Sequence, residues 1–357
     1  MGNGKSDTLW DIAVAQVSKK NEEKENEEDL EVKERSVFFL GNKSGGKTTI
    51  ILRFLDRDEI PKPTLALEYT FGRRAKGHNT PKDIAHFWEL GGGTSLSDLA
   101  QIPITVDSIR TLSIVLVLDL SKPNDLWLSM EKLLDVTKNH INTTINELGK
   151  KDSINVNDFK QRTWKTLQRN HPDWELIDPF PIPLVIIGSK YDIFQDFESE
   201  KRKVICKTLR FVAHYYGASL LFFSNKVEST ISKMRTILNH LAFGTDRSKA
   251  VSVEHNKPLF VPAGLDSLSL IGSPPATEID LGKINARNPI DLWKKVYERL
   301  FPSENTSELK YVEDPAKNSQ YAEPEVDAMR TQKDQELEQY KRNASKSWKV
   351  MQFDIRR

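Results

Sequence analysis

Four stretches of this chain are apolar almost throughout instead of at alternate positions: Val37–Leu40, Leu112–Asp119, Leu184–Ile187 and Ser219–Phe223. A strand covered on both faces needs no polar side, so such runs predict buried, parallel-type strands. Between them the apolar residues return at helical spacing. Leu126, Trp127, Met130, Leu133, Leu134, Val136 and Ile141 form one stripe, opened by Ser121-Lys122-Pro123, where an early proline costs no hydrogen bond. Val204, Ile205, Leu209, Phe211, Val212 and Tyr215 form a second, stopped by Gly217; Ile231, Met234, Ile237, Leu238 and Leu241 form a third, before Phe243-Gly244. Cys206 and His214 fall within the second helix and read as packing or surface residues. Alternation across Leu65, Leu67 and Tyr69 predicts a further strand paired with Ile84–Leu90, with Arg73–Pro81 as the turn. This rhythm predicts a doubly wound α/β domain with a mostly parallel sheet over residues 36–244, carrying a polar insertion at about 145–180.

The flanks differ in character. Residues 1–35 hold an amphipathic helical pattern (Leu9, Trp10, Ile12, Ala13 and Val17), then a run of Lys, Glu, Asp and Asn that reads as a solvated linker. Residues 245–357 form a C-terminal extension rich at first in Pro, Gly and Ser, with one strand-like fragment, Leu259–Val261. A helix follows at 291–301 through Leu292, Trp293, Val296 and Leu300, and another at 325–348 with a narrow stripe of Val326, Met329, Leu337 and Tyr340. That stripe is too thin to build a core; it suits a partner's surface or a charged, solvated helix equally.

Charge and composition then narrow the partners. Lys+Arg 52 against Asp+Glu 51 gives a formal charge of +1, so no whole-chain field points to nucleic acid. A single cysteine excludes an internal disulfide and any cysteine-based zinc cluster, which fits a reducing compartment and makes the cytoplasm the default location. No apolar run approaches the roughly 18 residues of a membrane span, so none is expected. The opening Met1-Gly2-Asn3-Gly4-Lys5-Ser6 fits the loose pattern for N-myristoylation of Gly2 as well as a plain polar terminus.

The chemistry is concentrated where the first buried run stops. Gly41-Asn42-Lys43-Ser44-Gly45-Gly46-Lys47-Thr48 matches G-x-x-x-x-G-K-[ST] without a mismatch, and Thr49-Ile50-Ile51-Leu52 resumes as a helix start. Polyphosphate has to be wrapped by backbone N–H groups, and glycine lets a loop turn tightly and approach closely. The helix start then favours the anion. In this arrangement Lys47 serves the outer phosphates and the Thr48 hydroxyl serves Mg²⁺.

Later strand ends extend the series. Glu89, three residues before Gly92, stands where P-loop proteins place the carboxylate that reaches the metal, and Thr64 is a second candidate hydroxyl for it. Ser189-Lys190-Tyr191-Asp192 and Ser224-Asn225-Lys226 stand where Ras-like GTPases read guanine through N-K-x-D and S-A-K. Asp192 is the group able to accept from both guanine donors, and Lys190 would lie along the ring. The order resembles the five-motif guanine-nucleotide domain and implies a Ras-like P-loop fold binding GTP or GDP with Mg²⁺. Three departures matter: Glu89 replaces Asp, Gly93 stands where the switch glutamine orients water, and Ser189 replaces the asparagine that braces the base loop. Binding is therefore expected to survive better than hydrolysis, and no catalytic residue is assigned.

The segments Gly46–Arg53, Pro63–Tyr69, His86–Gly93, Asp119–Trp127 and Phe180–Asp192 together resemble the dynein light intermediate chain family, in its dynein 2 branch. The resemblance runs along nearly the whole chain and is weakest in the first thirty or so residues and near Ile145–Asn170. It implies a non-catalytic subunit whose Ras-like domain sits on the dynein 2 heavy chain, among the other dynein 2 subunits, and serves retrograde intraflagellar transport, cilium assembly and length control. It implies a place in the cytoplasm, the ciliary axoneme and basal body, the centrosome and the Golgi region. A switching GTPase that binds partners in a nucleotide-dependent way is the alternative. A P-loop kinase is disfavoured because no Arg-rich lid follows the domain.

Overall fold

Val37-Phe38-Phe39-Leu40 lies at the centre of a seven-stranded sheet, and all four side chains are fully buried. The structure, a computed structural model, describes residues 34–75, 82–152, 157, 159, 161, 171–275, 286, 288–303 and 323–354. The pattern at residues 8–17, the charged linker and Gly2 lie outside them.

The strands are β1 (Glu34–Gly41), β2 (Leu67–Arg74), β3 (Asp83–Leu90), β4 (Leu112–Asp119), β5 (Leu184–Ser189), β6 (Ser219–Phe222) and β7 (Phe260–Val261). The helices are α1 (Lys47–Phe54), α2 (Pro123–Asp152), α3 (Tyr191–Phe194), α4 (Ser199–Tyr215), α5 (Glu228–Phe243), α6 (Leu268–Ile271), α7 (Pro289–Leu300) and α8 (Pro324–Asp354). Strand order is β2-β3-β1-β4-β5-β6-β7, with β2 and β7 antiparallel to their neighbours and the rest parallel. This is a doubly wound, mostly parallel α/β sheet. Alternation along the central strands divides the core. Phe38, Leu40, Ile114, Leu116 and Ile186 face α2, α4 and α7, whereas Val37, Phe39, Val115, Val117 and Ile187 face α1 and α5.

The strand pairing predicted for β2 holds, with Tyr69 opposite Trp88, although β2 runs on to Arg74 and residues 76–81 of the turn lie outside the description. Helix α2 continues well past Ile141 to Asp152, so the polar stretch from 145 begins as helix. Ile145 and Leu148 extend its buried stripe, and the buried Thr137 hydroxyl is satisfied by the Leu133 carbonyl at 2.6 Å. Polar residues at the helix interior hid this continuation because their side chains bond within the helix.

The larger difference lies beyond residue 244. The first compact unit extends to Glu304, not to 244, and the remainder forms a second unit. Within the first, β7 pairs with β6 through Leu220–Val261 and Leu221–Phe260, closing one sheet edge. Helix α7 packs on α2 and α4: Trp293 stacks on Phe211 with ring centroids 4.4 Å apart, and the buried Tyr297 donates its hydroxyl to the Pro123 carbonyl at 2.8 Å. Lys294 pairs with Glu131 at 2.6 Å.

Cys206 and His214 are both buried in α4, as packing residues. Burial pushes the Cys206 thiol up to about 12. His214 Nε2 meets Asp173 Oδ2 at 2.8 Å, Asp173 also accepts from the Leu268 amide at 2.7 Å, and His171 Nε2 donates to the Asp266 carbonyl at 2.7 Å. Arg210 clamps Asp266 through two bonds of 2.8 and 2.6 Å. The network ties the end of the insertion to α4 and to the segment before α6.

Candidate nucleotide site

The site lies at the carboxyl ends of β1, β3, β4, β5 and β6, beside the point where chain order reverses around β1. At the end of β1, Gly41 has φ 148°, and a Cβ there would stand 2.2 Å from the Val117 carbonyl oxygen of β4. No other residue fits so close an approach. The loop then turns through a bond from the Gly45 amide to the Asn42 carbonyl at 3.1 Å. Lys43 and Ser44 stand exposed at its crest, and Gly46 enters α1 at φ 93°. Helix α1 starts with no side-chain cap and no acidic residue in its first turn, where Thr49 is half-buried. No residue of its own first turn thus offsets its positive pole.

Lys47 is buried, and its ammonium donates to the Gly41 and Asn42 carbonyls at 3.0 Å each. Desolvation holds its pKa below the usual lysine range, and the charge of Glu89 opposes that shift. A buried cation folded back onto its own loop, beside an uncapped helix start, suits an anion between them. Asn42 anchors the loop to α2 by donating to Ser129 Oγ at 2.5 Å.

A second group of oxygens gathers next to it. Thr48 Oγ1 donates to Glu89 Oε1 at 2.7 Å, and Thr64 Oγ1 donates to Glu68 Oε2 at 3.2 Å. Burial pushes the Glu89 pKa up; hydrogen bonds from Thr48 and Thr64 and the Lys47 charge act the other way, and Glu68 adds to the rise. Two hydroxyls and two carboxylates, one of them short of compensating charge, form a donor set suited to a hard divalent cation. The longer Glu89 side chain still reaches the Thr48 hydroxyl directly.

The loop after β3 closes over the same end of the site. The Gly91 amide donates to the Ala66 carbonyl at 2.6 Å, and a Cβ on Gly91 would meet the Thr64 carbonyl oxygen at 2.4 Å. Gly93 has φ 60°, and its Cβ position is 3.1 Å from Asn42 Cα and 3.2 Å from the Lys43 nitrogen. Glycine is thus required at 93 by contact with the phosphate loop itself. A side chain at 93 would be strained by the backbone conformation and would press on the loop.

The residues assigned to base reading also contact one another. Ser189 directs its hydroxyl to the Gly45 carbonyl at 2.6 Å and the Leu118 carbonyl at 3.1 Å, so the smaller residue keeps a brace between base loop and phosphate loop. Asp192 accepts from Ser224 Oγ at 2.9 Å and pairs with Lys226 at 2.7 Å; these partners hold its pKa below the usual carboxylate range, the Lys226 hydrogen bond foremost. The Lys226 side chain is 78 % exposed, so it can leave Asp192 at little cost. Lys190, at φ 58°, donates to Asp119 Oδ2 at 2.5 Å, and Asp119 in turn accepts from the Ser121 amide and hydroxyl.

Of the residues assigned from the sequence, Thr48 meets Glu89, Lys47 folds onto Gly41 and Asn42, Ser189 reaches Gly45, and Asp192 contacts Ser224 and Lys226, while Thr64 stands beside Glu68. Glu68, Asp119 and Ser129 join them without having been assigned. Asp119 shares the strand-end position of Glu89 and Ser189 and was recognisable by that criterion. Glu68 and Ser129 carry no local signal, since only folding brings the β2 edge and the α2 surface to the loop.

Comparison with known proteins gives a consistent result. The family model for the dynein light intermediate chain matches residues 4–172 and 170–273. The chain is 66% identical over 349 residues to cytoplasmic dynein 2 light intermediate chain 1 of Bos taurus, covering 98% of this chain and 99% of that one, and 64% identical to the Homo sapiens protein with the same coverage. Cytoplasmic dynein 1 light intermediate chain 1 of Rattus norvegicus is 22% identical over 268 residues, 67% of this chain and 51% of that one. The crystal structure of the dynein light intermediate chain's conserved domain superposes with a TM-score of 0.53 at 18% identity, covering 74% of this chain and 97% of that one. The fold is thus the P-loop, Ras-like α/β fold of that domain.

Proposed function

The chain belongs to the dynein light intermediate chain family, and from that premise we propose that it is a non-catalytic accessory subunit of the cytoplasmic dynein 2 motor. In this role it binds and stabilises the heavy chain for retrograde intraflagellar transport, cilium assembly and length control. It works in the cytoplasm and cilium, at the axoneme and basal body, at the centrosome and in the Golgi region. The observation that carries the reading is the 66% identity across 98% of the chain to a dynein 2 relative, against 22% to a dynein 1 relative.

The cleft refines that role. Residues 41–49 would hold the phosphates of GTP or GDP, with Lys47 at the outer ones; Thr48, Thr64 and Glu89 would hold Mg²⁺, joined by Glu68. Asp192 would take the guanine edge once Lys226 swings aside, with Ser224 steadying the carboxylate and Lys190 placed beside the ring. Bound nucleotide would add negative charge at Lys47 and the α1 start, beyond what Glu89 provides. A ligand held only by the folded domain stabilises it by about 2.7 kcal/mol at a hundredfold excess over Kd. Such a static ligand needs no turnover, and Gly93 leaves no group to orient a water. A switching GTPase is the reading this geometry argues against.

The test has two parts. Tagged chain recovered from ciliated cells should bring down the dynein 2 heavy chain in stoichiometric amount, and absence of heavy chain overturns the assignment. Denatured pure protein should release GDP or GTP near one per chain, and Lys47→Ala should abolish that; release of ATP, or rapid multiple turnover of GTP, overturns the static guanine-nucleotide role.

A further inference from the structure

Among the described residues, one set of His, Cys and carboxylate side chains brings metal-ligating atoms together away from the nucleotide cleft. It consists of His171, Asp173 and His214, which offer one ligand atom each, all within 4.8 Å of one another. Two of the three come from a single turn. The Trp174 amide donates to the His171 carbonyl at 3.2 Å, closing a four-residue turn with Pro172 at its second position, where the fixed φ of the ring belongs. That turn presents His171 and Asp173 side by side. The third comes from the last turn of α4, the end that leads into β6. The set therefore sits toward the amino ends of the strands, on the rim opposite the phosphate loop.

The imidazoles and the carboxylate are each oriented by a further partner. His171 Nε2 donates to the Asp266 carbonyl at 2.7 Å, which leaves Nδ1 as the lone-pair atom. That Nδ1 accepts from the Asp173 amide at 3.2 Å and stands 3.8 Å from Asp173 Oδ2, beyond hydrogen-bond reach. A ring tied through one nitrogen to a backbone carbonyl, with the other nitrogen turned inward, is arranged as metal-ligating histidines are. Asp173 Oδ2 meets His214 Nε2 at 2.8 Å and is steadied by the Leu268 amide at 2.7 Å. Behind His171, the Asp266 carboxylate is held by Arg210 through two bonds, so that cation is already matched.

The spacing fits one kind of ion. Bonds of about 2.0–2.1 Å in a tetrahedron put the ligand atoms roughly 3.3 Å apart, between the 2.8 and 3.8 Å separations found around Asp173. Small side-chain movements, and the proton of His214 carried on Nδ1, complete the set. Two imidazoles and one carboxylate suit Zn²⁺, with water as the fourth ligand, whereas Mg²⁺ and Ca²⁺ take sets made of oxygen. The His171, Asp173 and His214 side chains are 9, 10 and 3 % exposed, so bulk water competes little for the ion.

We propose that His171, Asp173 and His214 form a Zn²⁺ site that fastens the end of the insertion to α4 and, through Asp266 and Leu268, to the segment before α6. An ion held only by the folded chain stabilises it by mass action, so the site acts as a staple of the first unit.

The experiment uses the full chain, stripped with a chelator and kept in excess Mg²⁺, and titrates it with Zn²⁺. Calorimetry should give one tight equivalent per chain, and the melting temperature should rise by roughly 5–10 °C at a hundredfold excess over Kd. Co²⁺ in place of Zn²⁺ should give the intense visible absorption of a four-coordinate ion. His171→Gln and Asp173→Asn should each weaken Zn²⁺ binding at least tenfold and lose the Co²⁺ spectrum, while His255→Gln, outside the set, should keep both. Melting without metal shows whether each variant is folded, and His214→Gln, which can still donate to Asp173, replaces one that is not. Wild type that binds Zn²⁺ no more tightly than His171→Gln, melting unmoved by Zn²⁺, or a Co²⁺ spectrum unchanged in the variants would each overturn the proposal.

Discussion

Replacing Trp293 by alanine tests whether the segment after residue 244 is an appendage or part of the nucleotide-type domain. Trp293 is 4 % exposed, lies flat on Phe211 of α4 at 4.4 Å with an interplanar angle of 9°, and belongs to the core that includes Trp127, Leu209 and Tyr297. An indole so enclosed cannot be removed and the space refilled by small movements, because its neighbours are fixed by α2 and α4. Truncation of a buried Trp to Ala costs about 3–5 kcal/mol. At about 2–4 °C per kcal/mol for a domain approaching this size, the midpoint should fall by roughly 6–20 °C. Trp293→Phe keeps a ring on Phe211 and should recover most of the loss. The assay is paired thermal and urea unfolding of wild type and variants, with a fragment ending at Gly244 as a further comparison. If Trp293→Ala costs less than about 1 kcal/mol, or the fragment melts like the longer chain, α7 is not part of the domain core and the reasoning fails.

Three further outcomes follow from the same geometry. Gly93→Gln should not create GTP turnover and should instead destabilise the protein by about 1–3 kcal/mol, because φ 60° and a Cβ 3.1 Å from Asn42 Cα oppose any side chain; multiple-turnover phosphate release by this variant would contradict the packing argument. Glu89→Gln removes the carboxylate from the Thr48–Glu89 pair, so added Mg²⁺ should strengthen nucleotide binding at least tenfold less in the variant than in wild type, measured by titration with and without the ion; an unchanged Mg²⁺ effect would remove Glu89 from the metal set. Burial lowers the His214 pKa from 6.5, with Asp173 opposing the shift, so below about pH 6.5 the unfolded chain binds the extra proton and stability falls as pH decreases. Melting temperature should thus drop from pH 7 towards 5, less steeply for His214→Gln, which can still donate to Asp173; an equal slope in both would place the acid sensitivity elsewhere.

The central fold was legible because its signals are local. Buried parallel strands have to be apolar at nearly every position, so β1, β4 and β5 stand out, and the Gly41–Thr48 loop is confined to its residue types by backbone geometry that needs no distant partner. The order of strand-end motifs, and with it the placing of Lys47, Glu89, Asp192 and Ser224 beyond the strand carboxyl ends, follows from those elements. An amphipathic helix, by contrast, announces that it has an apolar face without saying what covers it. For that reason α7 read as part of an extension, although Trp293 and Tyr297 complete the core of the sheet's own domain, and two residues of β7 were too few to claim an edge. The contacts around the candidate site lie further still from local pattern: Gly93 against Asn42, Ser189 against Gly45 and Lys226 upon Asp192 join residues that only the folded chain makes neighbours. The sequence by itself determined a glycine-rich loop opening a helix in a parallel α/β frame, because steric and hydrophobic demands act on consecutive residues. Tertiary structure alone decided that the frame extends to Glu304 and that Gly93 lies against the Asn42–Lys43 backbone, because packing compares surfaces that sequence order keeps apart.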